Sequence, residues 1–221
     1  MAKQLTVMDG QGPKKLPVAR EGWPFILLPG AMAVVLALLG RRKLALPFAA
    51  ASLASLGFFR DPEREIPALV NAALSPADGR VTSVDEVMDP FVGAAVRVSI
   101  FLSPLDVHVN RSPIAAEVVD TAYQRGQFVA AYNPEAGEVN ERCTIRLQGD
   151  AARVTVVQIA GVVARRIVCR VSAGQKVEAG ERIGMIRFGS RTDCYVPRAS
   201  DVRVRPGDRV IGGVTVIGLL P

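Results

Sequence analysis

From Trp23 to Gly40 the chain carries no charged side chain, and after Arg41-Arg42-Lys43 a second run, Leu44 to Phe59, is uncharged again. At 1.5 Å per helical residue the first run reaches roughly 27 Å, just short of a bilayer's hydrocarbon core. A helix packed on a soluble body shows a polar face, and neither run has one. The pattern therefore predicts an apolar helical hairpin over residues 23–60 that associates with a membrane. It either crosses the bilayer or dips into one leaflet with its basic tip snorkelling back to the headgroups. The shallow form avoids placing Arg41-Arg42-Lys43 on the outer side, against the positive-inside tendency. Residues 1–22 precede the hairpin as a flexible basic lead-in with Lys3, Lys14, Lys15 and Arg20. The lead-in is too long, and the second apolar run follows too directly, for a cleaved signal peptide.

Beyond Ala68 the texture changes to short β-branched runs punctuated by glycine and proline. Arg80 to Val87, Ala94 to Leu102, Ile114 to Tyr123, Arg142 to Leu147, Arg153 to Ile159, Arg165 to Val171, Arg182 to Phe188, Asp193 to Val196, Asp201 to Val204 and Thr215 to Leu219 read as strands. Helical periods are scarce, so residues 61–221 are expected to form a mainly β body. Two stretches share one pattern: Gly174-Gln175-Lys176-Val177-Glu178-Ala179-Gly180 and Gly207-Asp208-Arg209-Val210-Ile211-Gly212-Gly213. A turn glycine, an inward valine three on and a second glycine three beyond predict paired hairpins related by approximate symmetry, in a compact barrel-sandwich-like (lipoyl- or biotinyl-like) unit.

The charge balance, 27 Lys+Arg against 21 Asp+Glu, suits an anionic surface. With aromatics at 5% and no basic cluster interleaved with them, nucleic acid is not the expected partner. Cys143, Cys169 and Cys194 are far apart with no C-x-x-C spacing and read as buried thiols. His108 is the single histidine, so a multi-histidine metal centre is excluded and no metal cofactor is expected. A lone histidine is ordinarily structural. Asp106, two residues away, and the bracketing Pro104 and Pro113 place this one in an ordered loop where it can trade protons near neutral pH. Asp78, in Ser75-Pro76-Ala77-Asp78-Gly79, and the dipeptide Gly189-Ser190 read by themselves as turn chemistry.

Taken in order, Phe58-Phe59-Arg60-Asp61-Pro62-Glu63-Arg64, Ser75-Pro76-Ala77-Asp78-Gly79, Leu102-Ser103-Pro104 through His108, and Phe188-Gly189-Ser190 resemble the motifs of the phosphatidylserine decarboxylase proenzymes. The likeness is closest to the short, archaeal-type form and covers nearly the whole chain from Trp23. It implies self-cleavage at Gly189-Ser190 into a β chain, 1–189, and an α chain, 190–221. Ser190 would become an N-terminal pyruvoyl group whose ketone condenses with the substrate amine as a Schiff base and accepts electrons as CO2 departs. The product would be phosphatidylethanolamine. Glycine before the cleaved bond leaves its carbonyl open to the serine hydroxyl.

The resemblance further assigns His108 to decarboxylation and Asp78 to activation of the serine, with Asp106 orienting a partner base. Longer bacterial members carry a second histidine three residues after the first, and here that position is Arg111. Either His108 then serves both steps, or Asp78 acts directly or through water; His108 is assigned both. A diacyl substrate that stays in the bilayer gives the hairpin its purpose: holding the β body on the cytoplasmic face of the cell membrane, against an anionic surface. Ester (phosphatidylserine) and ether (archaetidylserine) lipids present the same headgroup and stay unseparated, as do monomer and homodimer. The rival reading, a membrane-anchored lipoyl- or biotinyl-like carrier without activity, needs a lysine at the hairpin tip where this chain has Gly189-Ser190.

Overall fold

The computed structural model describes residues 17–130, 135–162, 166–187 and 190–221. Most of the basic lead-in, together with Arg165, Phe188 and Gly189, lies outside these residues. Residues 17–22, at the end of the lead-in, close against the body: Val18 bridges Arg60, Ala19 is buried, and Arg20–Gly22 forms a 3-10 turn.

Two antiparallel helices follow, α1 over Trp23–Leu38 and α2 over Arg42–Phe58, in place of the two apolar runs. Pro24 sits in the first turn of α1, where its missing N–H costs nothing. Gly40, at φ +74°, lets the chain reverse between them. Where the helices touch, Ser52 Oγ donates to the Ile26 carbonyl at 2.8 Å, and Gly30 leaves room for it. Almost everything else on the hairpin faces outward, including Leu27, Leu28, Val34, Leu38, Leu39, Leu46 and Leu53. The run Arg20–Leu38 is long and apolar enough to cross a membrane. An apolar surface of this extent is stable only against lipid or a partner.

The body is mainly β, in the class the residue pattern predicts. Its described strands are β1 Ala72–Leu74, β2 Gly79–Asp89, β3 Gly93–Leu102, β4 Val109–Arg111, β5 Ala116–Gln124, β6 Arg142–Gln148, β7 Arg153–Ala160, β8 Arg166–Cys169, β9 Lys176–Val177, β10 Arg182–Arg187, β11 Ser190–Pro197, β12 Asp201–Val202, β13 Arg209–Val210 and β14 Val216–Leu219. A short helix, α3 Ala136–Val139, precedes β6. Eight strands make one curled antiparallel sheet in the order β13-β2-β3-β11-β7-β6-β5-β9. Two three-stranded sheets, β1-β14-β12 and β4-β10-β8, complete the body around a core containing Val98, Ile100, Ile145, Val156, Ile183 and Ile217.

The repeated glycine-valine stretches occupy the two ends of the large sheet, with β9 pairing β5 and β13 pairing β2. Their surroundings repeat bond for bond. Gly174 N–H donates to Val118 and Gly207 N–H to Val81; Gly180 N–H donates to Ser112 and Gly213 N–H to Ser75. Ser75 Oγ reaches the Ala77 carbonyl and Ser112 Oγ the Ile114 carbonyl, both at 2.7 Å. The two turns hold each other reciprocally, Leu74 N–H to Pro113 and Arg111 N–H to Pro76. Val81, Val118, Val177 and Val210 all point into the core. The body is thus two copies of one unit about an approximate two-fold axis, which closes the core without a long helix.

A second, smaller apolar cluster joins hairpin to body: Ala19, Phe58 and Phe59 pack on Val107, Val109 and Met185. Phe59 is fully buried and stacks on Phe25 at 5.4 Å. A Cβ on Gly22 would sit 2.5 Å from the Phe59 side chain, so glycine is required there.

Candidate active site

Strand β11 runs through the middle of the large sheet between β3 and β7, and Ser190 opens it opposite Leu102 and Ala160. The residue pattern starts this strand at Asp193. It begins three residues earlier because the polar side chains there have buried partners. Arg191 pairs with Asp193 at 2.7 and 2.8 Å and donates to Ser99 Oγ at 2.9 Å, while Thr192 Oγ1 accepts from Asn110 at 3.0 Å. Ser190 is fully buried, yet its hydroxyl has no hydrogen-bond partner among the described residues. Leaving a buried hydroxyl unpaired costs about 1–3 kcal/mol, so such a group marks a place the fold keeps for chemistry.

The His108 loop starts where Ser190's strand partner ends. After Leu102 the chain turns through Ser103 to His108 and enters β4, and Ile186 N–H donates to the His108 carbonyl at 3.2 Å. The loop is therefore tied both to the strand beside Ser190 and to β10, which leads towards it. His108 is fully buried under Phe58, ring centroids 4.3 Å apart. Its Nδ1–H donates to the Asp106 carbonyl at 2.9 Å, which leaves Nε2 as the acceptor nitrogen of a neutral ring. Burial lowers the histidine pKa to about 4, against an upward pull from the Asp106 carbonyl and from the charges of Asp106 and Asp78; Arg60 adds to the lowering. At neutral pH the ring is an uncharged base.

The Asp106 carboxylate faces elsewhere. It accepts from Ser103 N–H at 2.8 Å, Ser103 Oγ at 2.7 Å and Arg209 at 2.7 Å, so the carboxylate shapes the loop and the carbonyl meets the histidine.

Asp78 stands just before β2 at the same end of the large sheet, since Arg80 pairs with Phe101, which in turn pairs with Arg191. Gly79 takes φ +148° and lies so close to β3 that a Cβ would be 2.1 Å from the Phe101 carbonyl oxygen. Both Asp78 oxygens are engaged: Arg64 donates at 2.6 and 2.8 Å and Gly212 N–H at 2.8 Å.

Arg64 belongs to the segment 60–64, which leaves α2 and clasps three loops at once. Arg60 donates to the Leu105 carbonyl in the histidine loop. Asp61 binds Arg182 at 2.7 Å and Arg111 at 3.4 Å. Arg111, three residues after His108, also donates to the carbonyls of Gly180 and Pro62, both at 2.9 Å. Burial, then repulsion from Arg182, lowers its pKa to about 10, and it remains a cation fixed to the frame.

Ser190, His108 and Asp78 thus come from three segments that converge on one end of the sheet. Motif reading missed the clasping roles of Arg64 and Asp61 and the polar bridge in which Gln158 donates to Asn110 at 2.8 Å and Asn110 to Thr192. Gln158 carries a legible signal, a single amide within the apolar run Val154 to Ala160. Among the described residues no group of three His, Cys, Asp or Glu side chains is placed to hold a metal ion.

The family profile described as phosphatidylserine decarboxylase matches residues 53–218. A phosphatidylserine decarboxylase proenzyme of Symbiobacterium thermophilum is 52% identical over 92% of this chain and 96% of its own length. The proenzyme of Nitrosomonas europaea is 45% identical over 90% of this chain and 94% of its own, and that of Burkholderia pseudomallei 43% over 92% and 95%. Similarity of this extent reaches the hairpin, the clasp, the histidine loop and the serine strand together, and the chain therefore belongs to the phosphatidylserine decarboxylase family.

Proposed function

We propose that the chain cuts itself between Gly189 and Ser190 and then converts phosphatidylserine to phosphatidylethanolamine and CO2. The observation that carries this reading is the buried Ser190 hydroxyl, without a hydrogen-bond partner among the described residues, at the sheet end that His108 and Asp78 share. A hydroxyl that surrenders no hydrogen bond to the described residues can attack the neighbouring carbonyl and later leave its carbon without breaking a contact to them, which fits conversion of Ser190 to a pyruvoyl group. His108, neutral and with Nε2 as its acceptor nitrogen, takes the Ser190 Oγ proton as Oγ attacks the Gly189 carbonyl carbon. The C–N bond of Gly189-Ser190 then breaks with the proton delivered to the departing amine, leaving an ester through Oγ. Loss of the Ser190 Cα proton then breaks the Cβ–Oγ bond and releases the 1–189 chain as a carboxylate, and water hydrolyses the dehydroalanine left at position 190 to the pyruvoyl ketone with loss of its nitrogen as ammonia.

The pyruvoyl group supplies a ketone that takes up the substrate amine and accepts the electron pair left by CO2. His108 takes a proton from the substrate ammonium as the amine condenses and gives it to the substrate carbon that lost the carboxylate. Asp78, with both oxygens bound to Arg64 and Gly212, acts through its field on the ring, favouring the protonated histidine that each step transiently needs. Asp106 positions His108 through its carbonyl. Residues 1–189 and 190–221 remain one body, because β11 stays hydrogen-bonded between β3 and β7.

The wild-type chain is expected to give two fragments joining at 189/190, and His108→Ala a single chain of 23.6 kDa. An uncut wild type would overturn the reading, and a fully cut variant would remove His108 from the cleavage step.

The outward apolar surface of α1 and α2 supports anchoring at the membrane that holds the substrate, with the β body on its cytoplasmic face. Full-length protein should stay with the membrane pellet through carbonate extraction; release to the supernatant would sink the anchor.

A further inference from the structure

Strand β10 carries side chains alternately to two cores. Ile186 points into the main core, whereas Met185 packs in the cluster beneath the hairpin. Arg187, two residues after Met185, lies on that second face, its guanidinium 5.6 Å from the Phe25 ring of α1. Directly across the ladder is another arginine, Arg166 of β8. Like charges directly opposite each other on a sheet destabilise it.

Five other arginines drawn into the body are matched by carboxylates, Arg64 by Asp78, Arg111 and Arg182 by Asp61, Arg170 by Glu21 and Arg191 by Asp193, while Arg60 and Arg142 donate to backbone carbonyls. Among the described residues Arg187 has no carboxylate partner, and its Nε, sealed from solvent, has no hydrogen-bond partner. Glu21 attracts it at a distance, but both Glu21 oxygens are bound to Arg170 at 3.1 and 2.6 Å. Burial, followed by repulsion from Arg166, lowers the Arg187 pKa. Among the described residues neither of these two adjacent guanidinium groups has a carboxylate bound to it, and they lie at the base of the apolar hairpin, Arg187 three residues before Ser190.

We propose that Arg187, with Arg166 across the strand, is the subsite for the phosphodiester anion of the lipid headgroup. The inference rests on the decarboxylase reading for the identity of the lipid. A guanidinium fork matches two phosphate oxygens at once. The spacing suits the substrate as well. Three residues of chain separate Arg187 from Ser190 by at most roughly 11 Å, and the headgroup phosphate lies a few bonds from the amine that must meet position 190. Acyl chains leaving a phosphate held there pass directly onto the hairpin.

The test compares full-length wild type, Arg187→Gln, Arg187→Lys and Arg166→Gln in mixed micelles. Each is checked for cutting at 189/190, for CO2 release from phosphatidylserine, and for equilibrium binding of a short-chain phosphatidylethanolamine, which has the phosphodiester and no carboxylate to lose. Arg187→Gln should be cut normally, with KM raised and short-chain lipid binding weakened by about 10- to 100-fold and kcat little changed. Arg187→Lys should recover part of this, and Arg166→Gln should show a smaller loss. Cutting and turnover with unchanged KM and lipid binding in Arg187→Gln would overturn the subsite. If Arg187→Gln fails to fold, the exposed Arg166→Gln decides, and unchanged lipid binding there overturns it. Inorganic phosphate competing as well as the short-chain lipid would make this a free-phosphate site and overturn the lipid assignment. A wild type that does not release CO2, but binds the short-chain lipid through Arg187, would sink the decarboxylase reading and leave the subsite standing.

Discussion

The two pseudo-symmetric units of the β body carry the same backbone and opposite chemistry. The Leu220 N–H donates to Asn71 in one as Ile186 N–H donates to His108 in the other. Asn71 therefore occupies the histidine's place in the first unit. Counting on from the matched serines, Ala115 occupies the place of Asp78 in the second, Ala116 that of Gly79, and Arg111 that of Leu74. Each unit contributes one titratable group to the Ser190 end of the large sheet, and the other unit has an inert residue at the equivalent point. Duplicating a hydrogen-bonded frame supplies rigidity; breaking its symmetry at single side chains supplies the site. The segment after the hairpin enforces the difference, since Arg64 binds Asp78 of the first unit while Asp61 binds Arg111 and Arg182 of the second.

The largest effect should come from the glycine that breaks the match. Gly79→Ala forces a Cβ against the Phe101 carbonyl at a φ that side chains rarely adopt, and should cost about 3 kcal/mol or more. Ala116→Gly, its counterpart, should cost no more than about 1 kcal/mol. Urea unfolding of the two variants checks this, and equal losses would mean that the units are not distinguished here.

A smaller effect separates His108 from Asn71. The histidine's ordinary pKa of 6.5 falls to about 4 in the folded chain, so below pH 6.5 the unfolded chain takes up a proton that the folded one refuses. Its contribution to stability is present above that value and is lost as pH falls towards 4. About 2 kcal/mol should disappear between pH 7 and pH 5 from this group. Replacing His108 by Asn, the residue of the other unit, should flatten that part of the acid limb. An unchanged slope in urea titrations at the two pH values would show that the ring is not buried in its neutral form.

The apolar hairpin and the longer strands are legible in the sequence because each is written in a run longer than its own repeat, as in Trp23 to Leu38 or Arg153 to Ala160. The paired glycine-valine stretches announce the approximate symmetry for the same reason. Strands β1 and β4 are not legible. Val109-Asn110-Arg111 is strand only because β10 supplies its hydrogen bonds and because Thr192, Gln158 and Asp61 satisfy its polar side chains. The motifs mark Ser190, His108 and Asp78, but spacing along the chain does not reveal that Asp78 is already ion-paired, that Asp106 meets the histidine through its carbonyl, or that Arg111 is anchored in the clasp. Those depend on contacts between residues far apart in sequence.

The central claim is that this frame turns Ser190, a buried hydroxyl without a partner among the described residues, into the reactive terminus of a cut chain. The mass of the fragment 190–221 from freshly purified full-length protein tests it most directly. The account predicts a fragment lighter by one ammonia than the same peptide with an N-terminal serine, and blocked to reagents for free amines. An uncut chain, or a fragment with a free serine amine, would contradict it.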